Sequence, residues 1–112
     1  MQVRIAGGRV IDPVNYINAV QDVFVSNGKI VAVGAPPPDF EPERNIDAAN
    51  RIVCPGLVDI CARLREPGLE HKATIGSESR AAAKAGITTL CTPPDTNPVV
   101  DTPAVVELIH QR

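Results

Sequence analysis

Residues 54–68 read CPGLVDICARLREPG, and this stretch decides the fold class. After Pro55-Gly56, the apolar residues Leu57, Val58, Ile60, Ala62 and Leu64 predict a largely buried strand, with Asp59, Cys61 and Arg63 on its other face. A charged side chain on a buried strand face needs a specific partner. Downstream, a helix is expected to begin between Thr74 and Ser77, to run through the alanine-rich segment 80–85 and to stop at Gly86. Ile87 to Cys91 then reads as a buried β-branched strand, and Pro93, Pro94 and Pro98 bracket a loop. Thr102-Pro103 has the form of an N-cap with proline in the first helical turn, and Val105, Val106 and Ile109, with Leu108 beside them, give that helix an apolar side.

Strand, long loop, helix, strand, loop, helix is the opening of a parallel α/β fold with right-handed crossovers. A closed eight-stranded barrel takes about 250 residues, whereas this chain has 112. The expectation is therefore the N-terminal piece of a longer protein. An independently stable open α/β unit is the alternative, although two parallel strands and two helices leave much apolar surface uncovered.

Upstream, Met1 to Val53 has the pattern of short strands and turns. Val3 and Ile5 alternate with polar residues up to Gly7-Gly8, and Val10-Ile11 lead into the turn pair Asp12-Pro13. Val23 and Val25 alternate with Asp22 and Ser26; Asn27-Gly28 suits a type I′ turn, and residues 30–33 return as the partner strand of a hairpin. The proline-rich segment 35–42 is a loop, residues 45–48 are a further short strand, and Asn50 suits a left-handed turn.

Eleven Lys and Arg face 13 Asp and Glu, for a net charge of −2. This near balance gives no broad field for nucleic acid or an anionic membrane. No apolar run approaches a membrane span, and the start MQVRIAGG lacks the regions of a signal peptide. Cytoplasmic residence is the expectation. The spacing of Cys54, Cys61 and Cys91 suggests neither a disulfide framework nor a four-cysteine zinc knuckle. All three are expected to stay thiols, with Cys54 and Cys91 as small buried residues. Gly7-Gly8 lacks the rest of a phosphate-binding loop.

The run from Cys54 to Gly68, Glu70-His71-Lys72, the segment from Arg80 to Leu90, and Pro94-Asp95-Thr96-Asn97-Pro98 together resemble the dihydroorotase group of cyclic amidohydrolases. The match covers most of residues 53–103, and with the preceding strands it extends over nearly the whole chain. The resemblance implies an α/β fold in which residues 1–53 supply part of a small β-sandwich built from both chain ends. Residues 54–112 would supply the first two β/α units of a truncated, TIM-like amidohydrolase barrel. It also implies reversible hydrolysis of the dihydroorotate ring to N-carbamoyl-aspartate in pyrimidine synthesis. Zinc would polarise the ring carbonyl and activate water, while an arginine and an asparagine hold the substrate carboxylate.

The departure from that pattern lies on the first strand. Active members resembling this sequence have His-x-His after the aspartate, two ligands pointing from one strand face. Here the two positions are Cys61 and Arg63. A cysteine thiolate can ligate zinc, but arginine stays protonated and has no lone pair to give. By the same resemblance, Arg65 falls on the carboxylate-binding arginine and Asp95 on the substrate-binding asparagine. An ionised aspartate repels a carboxylate instead of donating to it. The structural reading has Arg63 paired with Asp59 or a distant acid, and Asp95 capping the loop before Thr96 and Asn97. His71 reads as a loop residue and His110 as a helix-end residue.

The expectation is a dihydroorotase-like protein closest to inactive homologues, without catalytic residues, metal ligands or cofactor on this stretch. The resemblance implies aspartate transcarbamoylase as its structural partner, with a homo-oligomer also open. The alternative is a zinc-dependent cyclic amidohydrolase with an altered site, to which Cys61 and Arg65 contribute. A third reading gives the isolated 112-residue product no specific molecular function.

Overall fold

Asn27 and Gly28 both adopt positive φ, 50° and 76°, and reverse the chain between two antiparallel strands as their sequence requires. The computed structural model describes all residues, Met1–Arg112. They cluster into two units, Met1–Pro55 and Gly56–Arg112.

The first unit is a five-stranded sheet. Its strands are β1 (Gln2–Asp12), β2 (Ile17–Ser26), β3 (Lys29–Val33), β4 (Arg44–Asp47) and β5 (Ile52–Val53). The order is β3-β2-β1-β4, with β5 also on β1. The β1-β2 and β2-β3 pairs are antiparallel, while β4 and β5 run parallel to β1. β2 begins at Ile17, ahead of the Val23–Val25 alternation that marks it in the sequence.

β1 runs on through Gly7-Gly8, with a bulge between Ile5 and Gly8. Gly7 takes φ 70° there, and its N–H donates to Asp22 Oδ1 at 2.8 Å, so the bulge leaves no unpaired donor at that residue. Gly8 is needed for another reason: a Cβ there would sit 2.5 Å from Val53 Cγ2 and 3.0 Å from Ala48 Cβ. Val3, Val10, Val23, Phe24 and Ala48 form the buried core. The proline-rich loop lays Phe40 edge-on against Phe24, with ring centroids 5.1 Å apart.

The second unit contains β6 (Leu57–Asp59), α1 (Ile75–Lys84), β7 (Ile87–Leu90) and α2 (Pro103–His110). β6 and β7 pair in parallel, Leu57 opposite Ile87 and Asp59 opposite Leu90. Thr74 caps α1: its side chain accepts from Ser77 N while the Ser77 hydroxyl accepts from Thr74 N. Gly86, at φ 86°, ends the helix. Thr102 is the N-cap of α2 with Pro103 behind it, but its side chain makes no capping bond.

Expectations about burial are corrected at four places. The regular strand after Gly56 is only three residues long, and Leu57, Val58 and Ile60 are 56, 59 and 82% exposed. Of that apolar set only Ala62 is buried. The residues of β7 are at most half-buried, and Cys54, Cys61 and Cys91 are all exposed free thiols. Val106 of α2 also faces solvent. For β6 and β7 the cause is that a two-stranded sheet has no further strand or layer to cover its faces. The sheet is partial and does not close into a barrel. No helix is long and apolar enough to cross a membrane.

Candidate functional site

Asp59, the last residue of β6, fixes the path of the chain beyond the strand. Its Oδ1 accepts from Cys61 N at 2.9 Å, while its carbonyl accepts from Cys91 N at 2.8 Å. Ala62 N then donates to the Cys91 carbonyl at 2.9 Å. The segments leaving the carboxyl ends of β6 and β7 are thus tied side by side, where open parallel sheets present their ligand crevices. Ala62 points into the protein, and Cys61 and Arg63 on either side of it are exposed.

These segments enclose an open cleft of about 340 Å³. One wall runs from Ala62 to Leu69 and the other includes Thr92, Pro93 and Asp95–Asn97. Arg65 adopts φ 70° and Gly68 φ 109° as the first wall turns. A side chain at Gly68 has no room, because its Cβ would lie 2.7 Å from Asn97 Cβ and 2.9 Å from Asn97 O. Asn97 N donates to the Pro67 carbonyl at 3.1 Å and joins the walls.

Arg63 Nε donates to Asp95 Oδ2 at 2.7 Å. Both side chains are about half exposed, 52 and 51%. The Arg63 hydrogen bond holds the Asp95 carboxyl below the usual carboxylate range, helped by the charges of Arg63 and Arg65. The same hydrogen bond and charge push the Arg63 guanidinium up. Arg65 lines the cleft; its carbonyl accepts from Leu69 N at 2.8 Å, and its side chain makes neither a hydrogen bond nor an ion pair.

Glu66, which sequence reasoning missed, is the buried charged residue of this site at 9% exposed. Its Oε2 accepts from Ile75 N, at the start of α1, at 2.8 Å. Its Oε1 lies 3.6 Å from Arg112 Nε. No local spacing signals this arrangement, since its partners are a helix start and a residue beyond α2. His71 lies in an exposed turn, outside the cleft, and His110 is exposed in the last turn of α2.

The donors on this chain do not by themselves make a zinc site. Cys61 is a single thiol, Arg63 is a cation held by Asp95, and no three His, Cys, Asp or Glu side chains converge on one point. What the cleft offers is paired and unpaired guanidinium groups, suited to carboxylates or other oxyanions.

The Dihydro-orotase-like family model matches residues 50–112. A dihydroorotase-like protein of Pseudomonas aeruginosa is 50% identical over 112 residues, all of this chain and 26% of that protein. A dihydroorotase of Solibacter usitatus is 45% identical over 112 residues, with the same two coverages of 100 and 26%. The chain thus spans about a quarter of the length of the curated relatives it matches. Among solved structures, the L-hydantoinase (dihydropyrimidinase) of Arthrobacter aurescens superposes with a TM-score of 0.82 at 31% identity, over 97% of this chain and 24% of that one. The partial sheet therefore resembles part of an amidohydrolase-fold barrel, and the chain belongs to the dihydroorotase-like family of the amidohydrolase superfamily.

Proposed function

We propose that this chain is the amino-terminal part of a cytoplasmic dihydroorotase-like protein of pyrimidine biosynthesis that is non-catalytic and serves as a structural partner of aspartate transcarbamoylase. Residues 1–53 would contribute to a β-sandwich and residues 54–112 would form the first two β/α units of the barrel. The observation that carries the loss of catalysis is the Arg63–Asp95 pair. A cation stands where the family pattern has a metal ligand, and an acid neutralises it from the position of the substrate-binding asparagine. Two substitutions that each oppose metal-assisted hydrolysis satisfy one another. The partner enters through the family resemblance, and the cleft geometry is neutral towards it.

A second reading is a metal-dependent cyclic amidohydrolase with an altered site, which would hydrolyse the ring C–N bond of dihydroorotate. The comparisons taken alone favour this reading over the first, because relatives at 45% identity bear the name dihydroorotase and the matched fold is that of a hydantoinase. Arg65 remains available in the cleft for a substrate carboxylate.

Metal stoichiometry by elemental analysis, together with co-elution against aspartate transcarbamoylase, separates the two. The assembled protein would be purified without chelator and checked for folding. The first reading expects essentially no zinc or transition metal and a stable complex with the transcarbamoylase. One or two metals per chain, with turnover of dihydroorotate, would establish the second.

A further inference from the structure

Cys61 and Cys91 lie just past the carboxyl ends of β6 and β7, on segments that are hydrogen-bonded to each other. Cys91 N donates to the Asp59 carbonyl at 2.8 Å, and the Cys91 carbonyl accepts from Ala62 N at 2.9 Å. In a parallel ladder the two bonds made by one residue bracket the residue opposite it, and here they bracket both Ile60 and Cys61, where the chain turns. Hydrogen-bonded neighbouring segments of a sheet lie about 4.8 Å apart, inside the span of about 4.4–6.8 Å between Cα atoms that a disulfide requires. Cys61 sits in a turn fixed by its N–H on Asp59 Oδ1, so its side chain is not bound to the strict alternation of a strand. Both thiols are free and exposed.

We propose that Cys61 and Cys91 are a redox pair, which hydrogen peroxide converts to an intramolecular disulfide at the base of the cleft. One thiol sulfur attacks the peroxide, breaking its O–O bond and giving a sulfenic acid and a water. The second thiol attacks that sulfur, forming the S–S bond and releasing the oxygen as a second water. The two sulfurs lose two electrons and the peroxide gains them. The cleft walls begin at Ala62 and Thr92, one residue past each cysteine, so the bridge clamps them together where they start. This goes beyond the proposed function, since neither reading of it uses such a bond.

The test is peptide mapping by mass spectrometry, without reduction, of the full chain treated with hydrogen peroxide. The expected product is lighter by about 2 Da, two hydrogens, with the Cys61–Cys91 peptide in at least about tenfold excess over any pairing of Cys54. Cys54→Ser should form the same bridge at an unchanged rate, and Cys91→Ser should oxidise without an internal bridge. In urea the preference should pass to Cys54 and Cys61, seven positions apart against 30 for the native pair, because the shorter loop closes more readily in an unfolded chain. A bridge through Cys54 in the folded chain, a bridge between chains, sulfinic acid without a bridge, or a preference unchanged by urea overturns the proposal. Should a serine variant fail to fold, the mapping of the native chain with and without urea decides alone.

Discussion

Arg63 and Asp95 stand 32 positions apart and meet through one Nε–Oδ2 hydrogen bond of 2.7 Å, in the segments that follow the two parallel strands. Each accounts for the other. An unpaired guanidinium there would stand beside the equally cationic Arg65, and an unpaired carboxylate would leave both cations unbalanced.

Because both partners are half exposed, this pair is expected to organise the loop more than to stabilise the fold. Arg63→Ala and Asp95→Ala should each lower the melting temperature slightly, with the double variant close to either single one. High salt should erase the difference. A double-mutant cycle measured at low and high ionic strength checks this, and strict additivity would mean the side chains do not interact.

Gly68 is expected to resist substitution more than its place in a loop suggests. At φ 109° an L side chain is strained, and the added Cβ would meet both Cβ and O of Asn97 at under 3 Å. Gly68→Ala should cost about 1–3 kcal/mol, measurable by urea unfolding. Gly76→Ala is the control, because its Cβ would meet nothing and alanine favours the first turn of α1.

How much of this was legible in advance follows from how local each cause is. Asn27-Gly28, the Thr74 cap and the Gly86 stop are properties of a few adjacent residues, and all appear where the sequence places them. Burial is not such a property: Leu57, Val58 and Ile60 have the composition of a buried strand, yet the two-stranded sheet has no layer to cover them. The need of Arg63 for an acid was legible, but not which acid. Asp59 lies nearer in sequence, and its Oδ1 is already taken by Cys61 N. The bulge of β1 illustrates the same limit, since Gly7-Gly8 reads as a break until Asp22, on the neighbouring strand, is seen to accept the Gly7 N–H.

Asp22 should make the first unit sensitive to acid. Its carboxyl is held below the ordinary 3.8, mainly by the Gly7 backbone hydrogen bond and then by the side-chain bond from Arg4. A carboxyl with a lower pKa folded than unfolded binds fewer protons in the native state, so its stabilisation is complete above the unfolded value and is lost as pH falls through the folded one. Stability should therefore drop below pH about 4, and Asp22→Ala should remove that part of the acid sensitivity at a cost of about 1–2 kcal/mol near neutrality. Denaturation series from about pH 2 to about pH 7 on both proteins, covering the carboxylate range and the plateau above it, would show parallel profiles if Asp22 were not responsible.

Glu66 should matter through its acceptor atom first and its charge second. Its Oε2 receives the Ile75 N–H at the start of α1, and the Arg112 contact on Oε1 is longer at 3.6 Å. Glu66→Ala leaves a helix-start N–H and a guanidinium without their partner and should cost about 1–3 kcal/mol. Glu66→Gln keeps an acceptor and should recover most of that loss. Equal destabilisation by the two variants in thermal melts would instead assign the effect to charge at the helix start.

Imidazoles placed at positions 61 and 63, just beyond β6, test whether the backbone presents a metal position. Cys61 and Arg63, in the segment that leaves β6, are both exposed and flank the buried Ala62. Cys61→His combined with Arg63→His would supply two neutral nitrogen ligands, remove the opposing cation and release the Asp95 carboxylate as a third ligand, through oxygen. Zinc should then bind at least about tenfold more tightly than to the native chain, since each added ligand acts on the same ion. Arg63→His alone should give a smaller gain. Competition against a chromophoric chelator measures both. Unchanged affinity in the folded double variant would mean that the segment after β6 does not bring these two positions and Asp95 to a common point.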